Sequence, residues 1–252
     1  MKTAVISGGA GGLGRALSAA LRARGWRVYL LDLNVDGLTA SEQEIPVQCD
    51  LTDSSQLTDA MGRILQEAPE LDLVVYNAGV THIGSFESLS PDTHRKVFDI
   101  NYFAAVGLAR ACLMPVRARQ GVHLAISSVA GFAPLHHRTA YAASKHALEG
   151  FFRSLRSEEK PFGVGVQIAA PSFVATNLGN AQLASNGIAR PGSAADGMDY
   201  MTPEAAAAAI LRGLDKRAAT IPVGRVARAS WWINRLFPEV YQRLMERKID
   251  GA

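Results

Sequence analysis

Cysteine is scarce in this 252-residue chain, which holds only Cys49 and Cys112, neither of them in a CxxC pair. This scarcity excludes a disulfide framework and a thiolate metal site, and the six scattered histidines show no metal-ligand spacing. No run approaches the roughly 18 uncharged apolar residues of a membrane span. The N-terminus enters a glycine-rich turn at once and leaves no room for a signal peptide. We therefore expect a reduced, cytoplasmic protein.

Net charge is also small, at +3 from 26 basic and 23 acidic side chains, which is too little to indicate nucleic acid as a partner. A hydrophobic content of 48% is enough to bury a large core and excludes a disordered or low-complexity chain. The charge is unevenly placed. Residues 222–252 carry six basic and three acidic side chains, so they hold the whole +3 and the rest of the chain is neutral.

Short runs rich in Val, Ile and Leu alternate with longer amphipathic stretches, a pattern typical of strands buried on both faces of a parallel sheet. The predicted strands are residues 3–7, 27–32, 46–50, 71–77, 122–127, 164–170 and 220–223. The predicted helices are residues 12–24, 54–67, 91–117, 139–160 and 203–216. This order predicts an α/β fold: one doubly wound, Rossmann-type domain over residues 1–224 with a seven-stranded, mostly parallel sheet.

Two segments depart from this alternation. Residues 177–202 are rich in small and polar side chains and are predicted to form a mobile lid. Residues 225–252 are predicted to form a C-terminal amphipathic helical arm, interrupted at Pro238. We expect the arm to pack on its own domain or on a partner subunit. The alternative is a membrane-surface arm, with Trp231, Trp232 and the arginines at the interface.

The first predicted strand ends in a glycine-rich turn, residues 7–14, that passes directly into a helix. Glycine supplies positive φ and lets a backbone approach a pyrophosphate, which then lies on the helix N-terminus. The plainer interpretation is a tight turn between a strand and a helix. The position after the first strand favours a dinucleotide. The residues expected to contact it are Gly8, Gly12, Leu13, Gly14, Asp32, Asp50, Leu51, Asn77, Ala78 and Gly79.

Asp32 ends the second predicted strand, 18 residues after Gly14. A carboxylate there can accept hydrogen bonds from ribose hydroxyls and would repel the extra 2′-phosphate of NADP. Neither Gly11 nor Leu33 supplies a basic group to neutralise that phosphate. The alternative is an aspartate that only caps a turn. The sequence predicts NAD as cofactor in preference to NADP.

Tyr141 and Lys145 stand four residues apart on a predicted helix and so share one face of it. An ammonium beside a phenol favours the phenolate, which can then act as a base. Ser128 follows the fifth strand, and Asn101 lies within a long helix. Singly, each has a plainer interpretation: a chance YxxxK, a loop serine, or a structural contact between helices.

Together these motifs resemble the classical short-chain dehydrogenase/reductase family, over roughly residues 3 to 224. The matching features are the SGxxxGLG turn, Asn-Ala-Gly, the helix asparagine, Ser-x12-Tyr-x3-Lys and Pro-x-x-x-x-Thr after the sixth strand. The resemblance implies that Tyr141 exchanges the substrate proton and that Lys145 tunes it and holds the nicotinamide ribose. It implies that Ser128 polarises the carbonyl and Asn101 positions a relay water. It adds Pro171, Val174 and Thr176 as cofactor contacts beside Tyr141 and Lys145.

The chain departs from the family pattern at two positions and is ambiguous at a third. Tyr76 replaces the asparagine often found before Asn-Ala-Gly, and Ser172 follows Pro171 where glycine is usual, which puts the local loop path in question. Gly8, Gly11 and Gly14 also fit the GxxGxxG spacing of extended relatives. The short chain favours the classical branch.

The resemblance implies hydride transfer between a nicotinamide cofactor and a secondary alcohol or ketone. We expect the pocket walls at residues 81–82, residues 132–137, Phe173 and the lid. These walls are partly apolar, so the expected substrate is partly apolar too, lipid-like or steroid-like by analogy with family members of similar lid and tail. We expect a homodimer or homotetramer. The rival hypothesis is a non-catalytic NAD-binding scaffold or redox sensor that acts through the arm.

Overall fold

The computed structural model describes residues 1–176, 186–189, 191–192 and 200–250, with side chains described as far as residue 246 in the last helix. The predicted lid at 177–202 therefore lies largely outside the described residues.

One parallel sheet of seven strands forms the centre of the molecule, in the order β3-β2-β1-β4-β6-β7-β9. Its strands are β1 (Thr3–Ser7), β2 (Arg27–Asp32), β3 (Glu44–Gln48), β4 (Leu73–Tyr76), β6 (Val122–Ile126), β7 (Gly165–Pro171) and β9 (Thr220–Val223). Every neighbouring pair in this sheet is parallel, so the prediction of a doubly wound α/β domain is confirmed. The strand order reverses between β1 and β4, and ligands of such sheets bind at that crevice.

Helices cover both faces of the sheet. They are α1 (Gly12–Arg22), α2 (Ser54–Glu67), α3 (Pro91–Phe98), α4 (Ala104–Arg119), α5 (Thr139–Glu159), α6 (Pro203–Asp215), α7 (Arg225–Leu236) and α8 (Pro238–Asp250). Helices α1 and α6 share one apolar core with one face of the sheet, and α2, α4 and α5 share a second core with the other face. Two of the expected helix starts carry their caps: Ser90 Oγ accepts from Thr93 N, and Thr202 Oγ1 accepts from Ala205 N.

The third strand lies two residues earlier than predicted, at Glu44–Gln48 instead of 46–50. The reason is the nearly buried Glu44, whose carboxylate accepts from Ser18 Oγ at 2.6 Å and pairs with Arg22 Nε at 2.9 Å. A tertiary ion pair thus allows a charged residue in the strand, which the hydrophobic pattern alone did not predict. In consequence Asp50 lies beyond the strand and does not close it.

The helix predicted at 91–117 is two helices joined by a π turn at Asp99–Phe103. Over Pro91–Arg119 the continuous stretch is long and apolar enough, by length and composition, to cross a membrane, with one third of its apolar window buried. In this fold its inner residues, including Leu108, Cys112 and Val116, belong to the core beside the sheet.

A short antiparallel pair was not predicted. Strand β5 (Thr81–His82) pairs with β8 (Ile188–Ala189), which ties the segment after β7 to the loop that follows β4. Each strand is only two residues long, too short for a period-two pattern to reveal it.

Candidate active site

A cavity of about 1720 Å³ opens along the carboxyl edge of the sheet, where the crevice is expected. One end is formed by the loops after β1, β2 and β3. The middle is formed by the end of β6 and the start of α5, and the far end by α7 and α8.

The glycine turn after β1 forms the floor of the first end. Gly8 has φ +65°, and a Cβ there would lie 2.8 Å from the Cα of Ala78. A Cβ on Gly14 would lie 2.4 Å from the carbonyl oxygen of Gly8. Helix α1 starts after Gly11 with no side-chain cap, so its first amides are open to an anion. These features fit the pyrophosphate of a dinucleotide.

The loop after β4 is held against this turn by its polar groups. Ser7 Oγ accepts from the backbone amides of Asn77 and Ala78, at 3.0 and 3.1 Å. The side-chain amide of Asn77 donates, through Nδ2, to the Gly8 carbonyl at 2.9 Å. These bonds bring Asn77, Ala78 and Gly79, which the sequence predicts to contact the cofactor, to the cavity.

Asp32 lies at the same end, and its Oδ2 accepts from the amide of Ala10 at 2.9 Å. Sequence reasoning missed two charged neighbours that also line this end, Arg15 and Asp36. Arg15 donates to the carbonyl of Gly37 at 2.5 Å, so its guanidinium lies along the loop that follows β2. Its position one residue after the last glycine, on an exposed helix face, was the available signal.

The remaining predicted cofactor residues, except Gly14, line the cavity too. They are Gly12, Leu13, Asp50, Leu51, Pro171, Val174 and Thr176. A Cβ on Gly12 would lie 3.1 Å from the side chain of Thr176, so the loop after β7 closes over the glycine turn. Ser172, which stands where the family usually has glycine, donates its amide to the Val223 carbonyl and continues the β7 path beside β9.

Ser128, Tyr141 and Lys145 all line the middle of the cavity. Burial raises the pKa of the Tyr141 phenol, while a hydrogen bond with Ser128 and the charge of Arg138 lower it. Burial lowers the pKa of Lys145 to about 8. Lys145 Nζ donates to the carbonyl of Ile126 at 3.0 Å and lies 6.0 Å from the Tyr141 ring centroid.

The 6.0 Å between Lys145 Nζ and the Tyr141 ring centroid bears on the expectation that Lys145 lowers the pKa of Tyr141. The causes of the Tyr141 pKa shift are burial, Ser128 and Arg138, in that order, and the net direction is upward. Protein burial therefore outweighs the charges that favour the phenolate. The lowering of the tyrosine pKa by Lys145 stays a prediction.

Asn101 is buried in the π turn and is fully engaged by its neighbours. Its Oδ1 accepts from the Val80 amide at 2.8 Å, and its Nδ2 donates to the Val80 carbonyl and to Ser144 Oγ, both at 2.9 Å. This side chain therefore locks the loop after β4 onto α5, directly beside Lys145. Such π turns are frequent at functional sites.

The far end differs from the expected pocket walls. Thr81, Leu135 and Phe173 line the cavity as expected, whereas His82 is buried and His136 stacks on His137 at 3.6 Å. Sequence reasoning missed the main wall, which comes from the arm. Its lining residues are Val226, Ala229, Ser230, Ile233, Tyr241, Leu244 and Met245. Their helical spacing was visible, but not the surface that they face.

The arm is fastened to its own domain in two ways. Ala227 and Tyr241 pack against Val129 and Phe132, and Asn234 Nδ2 donates to the Phe132 carbonyl at 2.5 Å. Within the described residues, the arm thus packs on its own chain.

Residues 2–186 match the short chain dehydrogenase family model. The chain belongs to this family. It is therefore an NAD(P)-dependent oxidoreductase. "Dehydrogenase/reductase SDR family member 7B" of Bos taurus is 32% identical over 262 residues, which cover 96% of this chain and 79% of the relative.

Solved structures agree with this assignment. A short-chain dehydrogenase from Streptomyces avermitilis is 26% identical, with a TM-score of 0.81 over 100% of this chain and 98% of its own. A 4-hydroxyisoleucine dehydrogenase complexed with NADH is 28% identical, with a TM-score of 0.64 over 69% of this chain and 76% of its own. A metagenomic short-chain oxidoreductase in complex with NADP is 29% identical, with a TM-score of 0.64 over 68% and 81%. Both nicotinamide cofactors thus occur among similar structures.

Proposed function

We propose that this enzyme uses NAD to interconvert a secondary alcohol and its ketone, with a substrate that is partly apolar. The observation that carries the proposal is that Ser128, Tyr141 and Lys145 line one cavity, with Asn101 packed directly behind them and an open helix N-terminus at its other end.

The residues have distinct roles in the proposed reaction. During oxidation, the Tyr141 phenolate accepts the hydroxyl proton and Ser128 hydrogen-bonds the same oxygen as it becomes a carbonyl. Lys145, as an ammonium, stabilises the phenolate and holds the nicotinamide ribose, and Asn101 fixes the relay beside them. Bound NAD supplies the acceptor for the hydride that leaves the carbinol carbon. Reduction reverses these steps.

Replacement of Tyr141 with Phe tests this assignment. Turnover should fall at least a thousandfold, because the proton donor and acceptor is lost, while NADH affinity measured by fluorescence titration should stay within about threefold. The substrate panel would contain hydrophobic secondary alcohols and ketones of increasing length. Undiminished turnover of the variant would contradict the role of Tyr141. Tight NADH binding by the wild type without turnover of any panel member would instead support the scaffold hypothesis.

The preference for NAD is proposed from the charges at the end of the cavity formed by the loops after β1, β2 and β3, where the adenosine would lie. Asp32 and Asp36 place two carboxylates there, and the guanidinium of Arg15 is bonded to a backbone carbonyl. An added 2′-phosphate would face both carboxylates. Replacement of Asp32 with Ala should reduce the ratio of kcat/KM for NAD to that for NADP at least tenfold. The matched variant Arg15→Ala should not reduce it, and a wild-type enzyme that favours NADP would refute the preference.

We also propose a homodimer or homotetramer in a reducing, cytoplasmic setting, in peripheral contact with a membrane through the arm. Phe103 and Met114 are exposed on the outer side of the α3–α4 stretch, and both cysteines are free and buried. Light scattering after size-exclusion chromatography should show two or four chains, and Phe103→Ser with Met114→Ser should reduce that number. A wild-type monomer would refute the proposed homodimer or homotetramer.

A further inference from the structure

The arm has a second apolar face, which lies outside the cavity except at Leu244. We call this the outer patch: Trp232, Leu236, Phe237, Val240 and Leu244. Trp232 is 58% exposed and Phe237 is 62% exposed, so these large side chains lie mostly in solvent. Eleven large apolar side chains are strongly exposed in the described part of the chain, and five of them are in this patch. A concentration of this kind marks an interaction surface.

Arginines border the outer patch. Arg225, Arg228, Arg235 and Arg243 are exposed on the same two helices. Arg235 lies over the ring of Trp231 at 5.1 Å, and Arg243 makes only a long, exposed pair with Glu239 at 4.0 Å. Residues 222–252 therefore combine exposed apolar side chains with the whole net charge of the protein.

This combination favours an anionic lipid surface over a second copy of the chain. A symmetric contact between two outer patches would bring the arginines of both copies together, and their like charges would repel each other. Anionic headgroups would instead pair with the arginines, while the tryptophan and the aliphatic side chains enter the interface.

We propose that the arm docks on the surface of an anionic membrane through the outer patch and admits an amphiphilic substrate from that surface into the cavity. The inner side of the same helices lines the far end of the cavity, and Leu244 belongs to both faces. The docking is argued from the exposed side chains of the arm alone, whereas the admission of substrate rests on the proposed function.

Sedimentation with vesicles tests the docking, using the full chain without cofactor or substrate. The protein should bind vesicles of phosphatidylcholine and phosphatidylserine at 7:3 and bind pure phosphatidylcholine at least tenfold more weakly. Trp232→Ser with Phe237→Ser should weaken binding at least tenfold. Arg235→Glu with Arg243→Glu should do the same, whereas Arg63→Glu with Arg212→Glu, which changes the net charge equally at exposed positions of α2 and α6, should have less than a twofold effect.

Equal loss in the control variant, or no preference for the anionic vesicles, would overturn the docking. Conversion of an oligomer to a smaller one by Trp232→Ser with Phe237→Ser, without vesicle binding by the wild type, would assign the patch to a second copy instead. The Tyr141→Phe variant should bind vesicles like the wild type, so a failure of the proposed chemistry is distinguishable from a failure of docking.

The admission of substrate has a separate test. The outer-patch variants should lower kcat/KM at least fivefold for a long-chain ketone presented in anionic vesicles, and leave kcat/KM for a short soluble ketone within twofold. Equal effects on both ketones would overturn this part.

A different observation, a buried carboxylate behind the catalytic lysine, carries a second inference. Glu149 lies one turn after Lys145 on α5 and is only 3% exposed. Its Oε1 accepts from Ser127 Oγ at 2.9 Å, and its Oε2 pairs with Arg153 at 2.6 Å. Ser127 directly precedes Ser128, so Glu149 contacts the strand end that carries one site residue and lies on the helix that carries another.

We infer that Glu149 is a positioning residue, which keeps Lys145 charged and holds the end of β6 in place for Ser128. Burial lowers the pKa of Lys145, and the negative charge of Glu149 opposes that shift. Among the described residues, the other charged groups that interact with Glu149 are Arg153 and Arg156. The titratable ring nearest Lys145 is that of Tyr141, on which Arg138 also acts.

Replacement of Glu149 with Gln keeps an acceptor for Ser127 but removes the charge. In the wild type, kcat/KM for ketone reduction should fall as Lys145 loses its proton, and in Glu149→Gln this fall should begin at least half a pH unit lower. The matched variant Glu158→Gln, exposed on the same helix, should keep the wild-type profile. A lower melting temperature with an unchanged pH profile would show a merely structural role and overturn the inference.

Discussion

The two ends of the cavity are built from different materials. At the nucleotide end, backbone packs on backbone: a methyl group on Gly8 would collide with the loop after β4, and one on Gly14 would collide with the carbonyl oxygen of Gly8 within the turn itself. At the arm end, side chains on α7 and α8 form the wall, and within α7 only Ala227 and Ser230 are buried.

The difference indicates which part of the enzyme can change. A backbone cradle accepts one shape of ligand, because the shape is fixed by chain geometry. A wall of exposed-to-half-buried side chains can be altered one residue at a time without loss of the sheet. The nucleotide end is therefore the part of the cavity that tolerates least change, and the arm end is the adaptable part.

Among changes that distinguish the two ends, the largest expected effect comes from a methyl group at the rigid end. Gly14→Ala places a Cβ 2.4 Å from the Gly8 carbonyl oxygen, and relief of such a contact costs about 1–3 kcal/mol. NADH affinity, measured by fluorescence titration, should fall between about fivefold and a hundredfold. Gly150→Ala, at an exposed helix position with no atom within 4 Å of the added Cβ, should leave affinity unchanged and raise stability by about 1 kcal/mol. Equal affinity in both variants would break the comparison.

The next effect concerns pH at the centre, between the two ends. Burial disfavours the ammonium of Lys145, so its pKa is about 8 and the side chain loses its proton as pH rises through that value. The kcat/KM for ketone reduction should be constant below pH 7 and fall up to about tenfold for each unit above pH 8. A profile that is flat to pH 10 would contradict the role of the charged lysine.

The smallest effect is expected at the adaptable end. Asn234→Ala removes the hydrogen bond from α7 to the Phe132 carbonyl, a loss of about 1 kcal/mol. The KM for an apolar ketone should rise about fivefold. The NADH affinity and the pH at which kcat/KM begins to fall should not change. A comparable loss of NADH affinity would show that the arm and the nucleotide end are coupled, and would refute the division between them.

Much of the fold could be predicted because it is encoded locally. The strands β1, β2 and β9 have the predicted bounds, and the predicted cofactor residues other than Gly14 line one cavity. The failures have physical causes. Glu44 lies in β3 because Ser18 and Arg22 satisfy its carboxylate, and such a partner cannot be inferred from the strand's own sequence.

The sequence by itself determined the alternation of strands and helices, the glycine turn and the order of the site residues, because each depends on neighbours along the chain. Only the tertiary structure decided what the arm does. Its apolar stripe specifies that a face must be covered, but not by what, since helical spacing carries no information about the opposing surface. The fold brings α7 and α8 back over Val129 and Phe132, which leaves one face lining the cavity and the other in solvent.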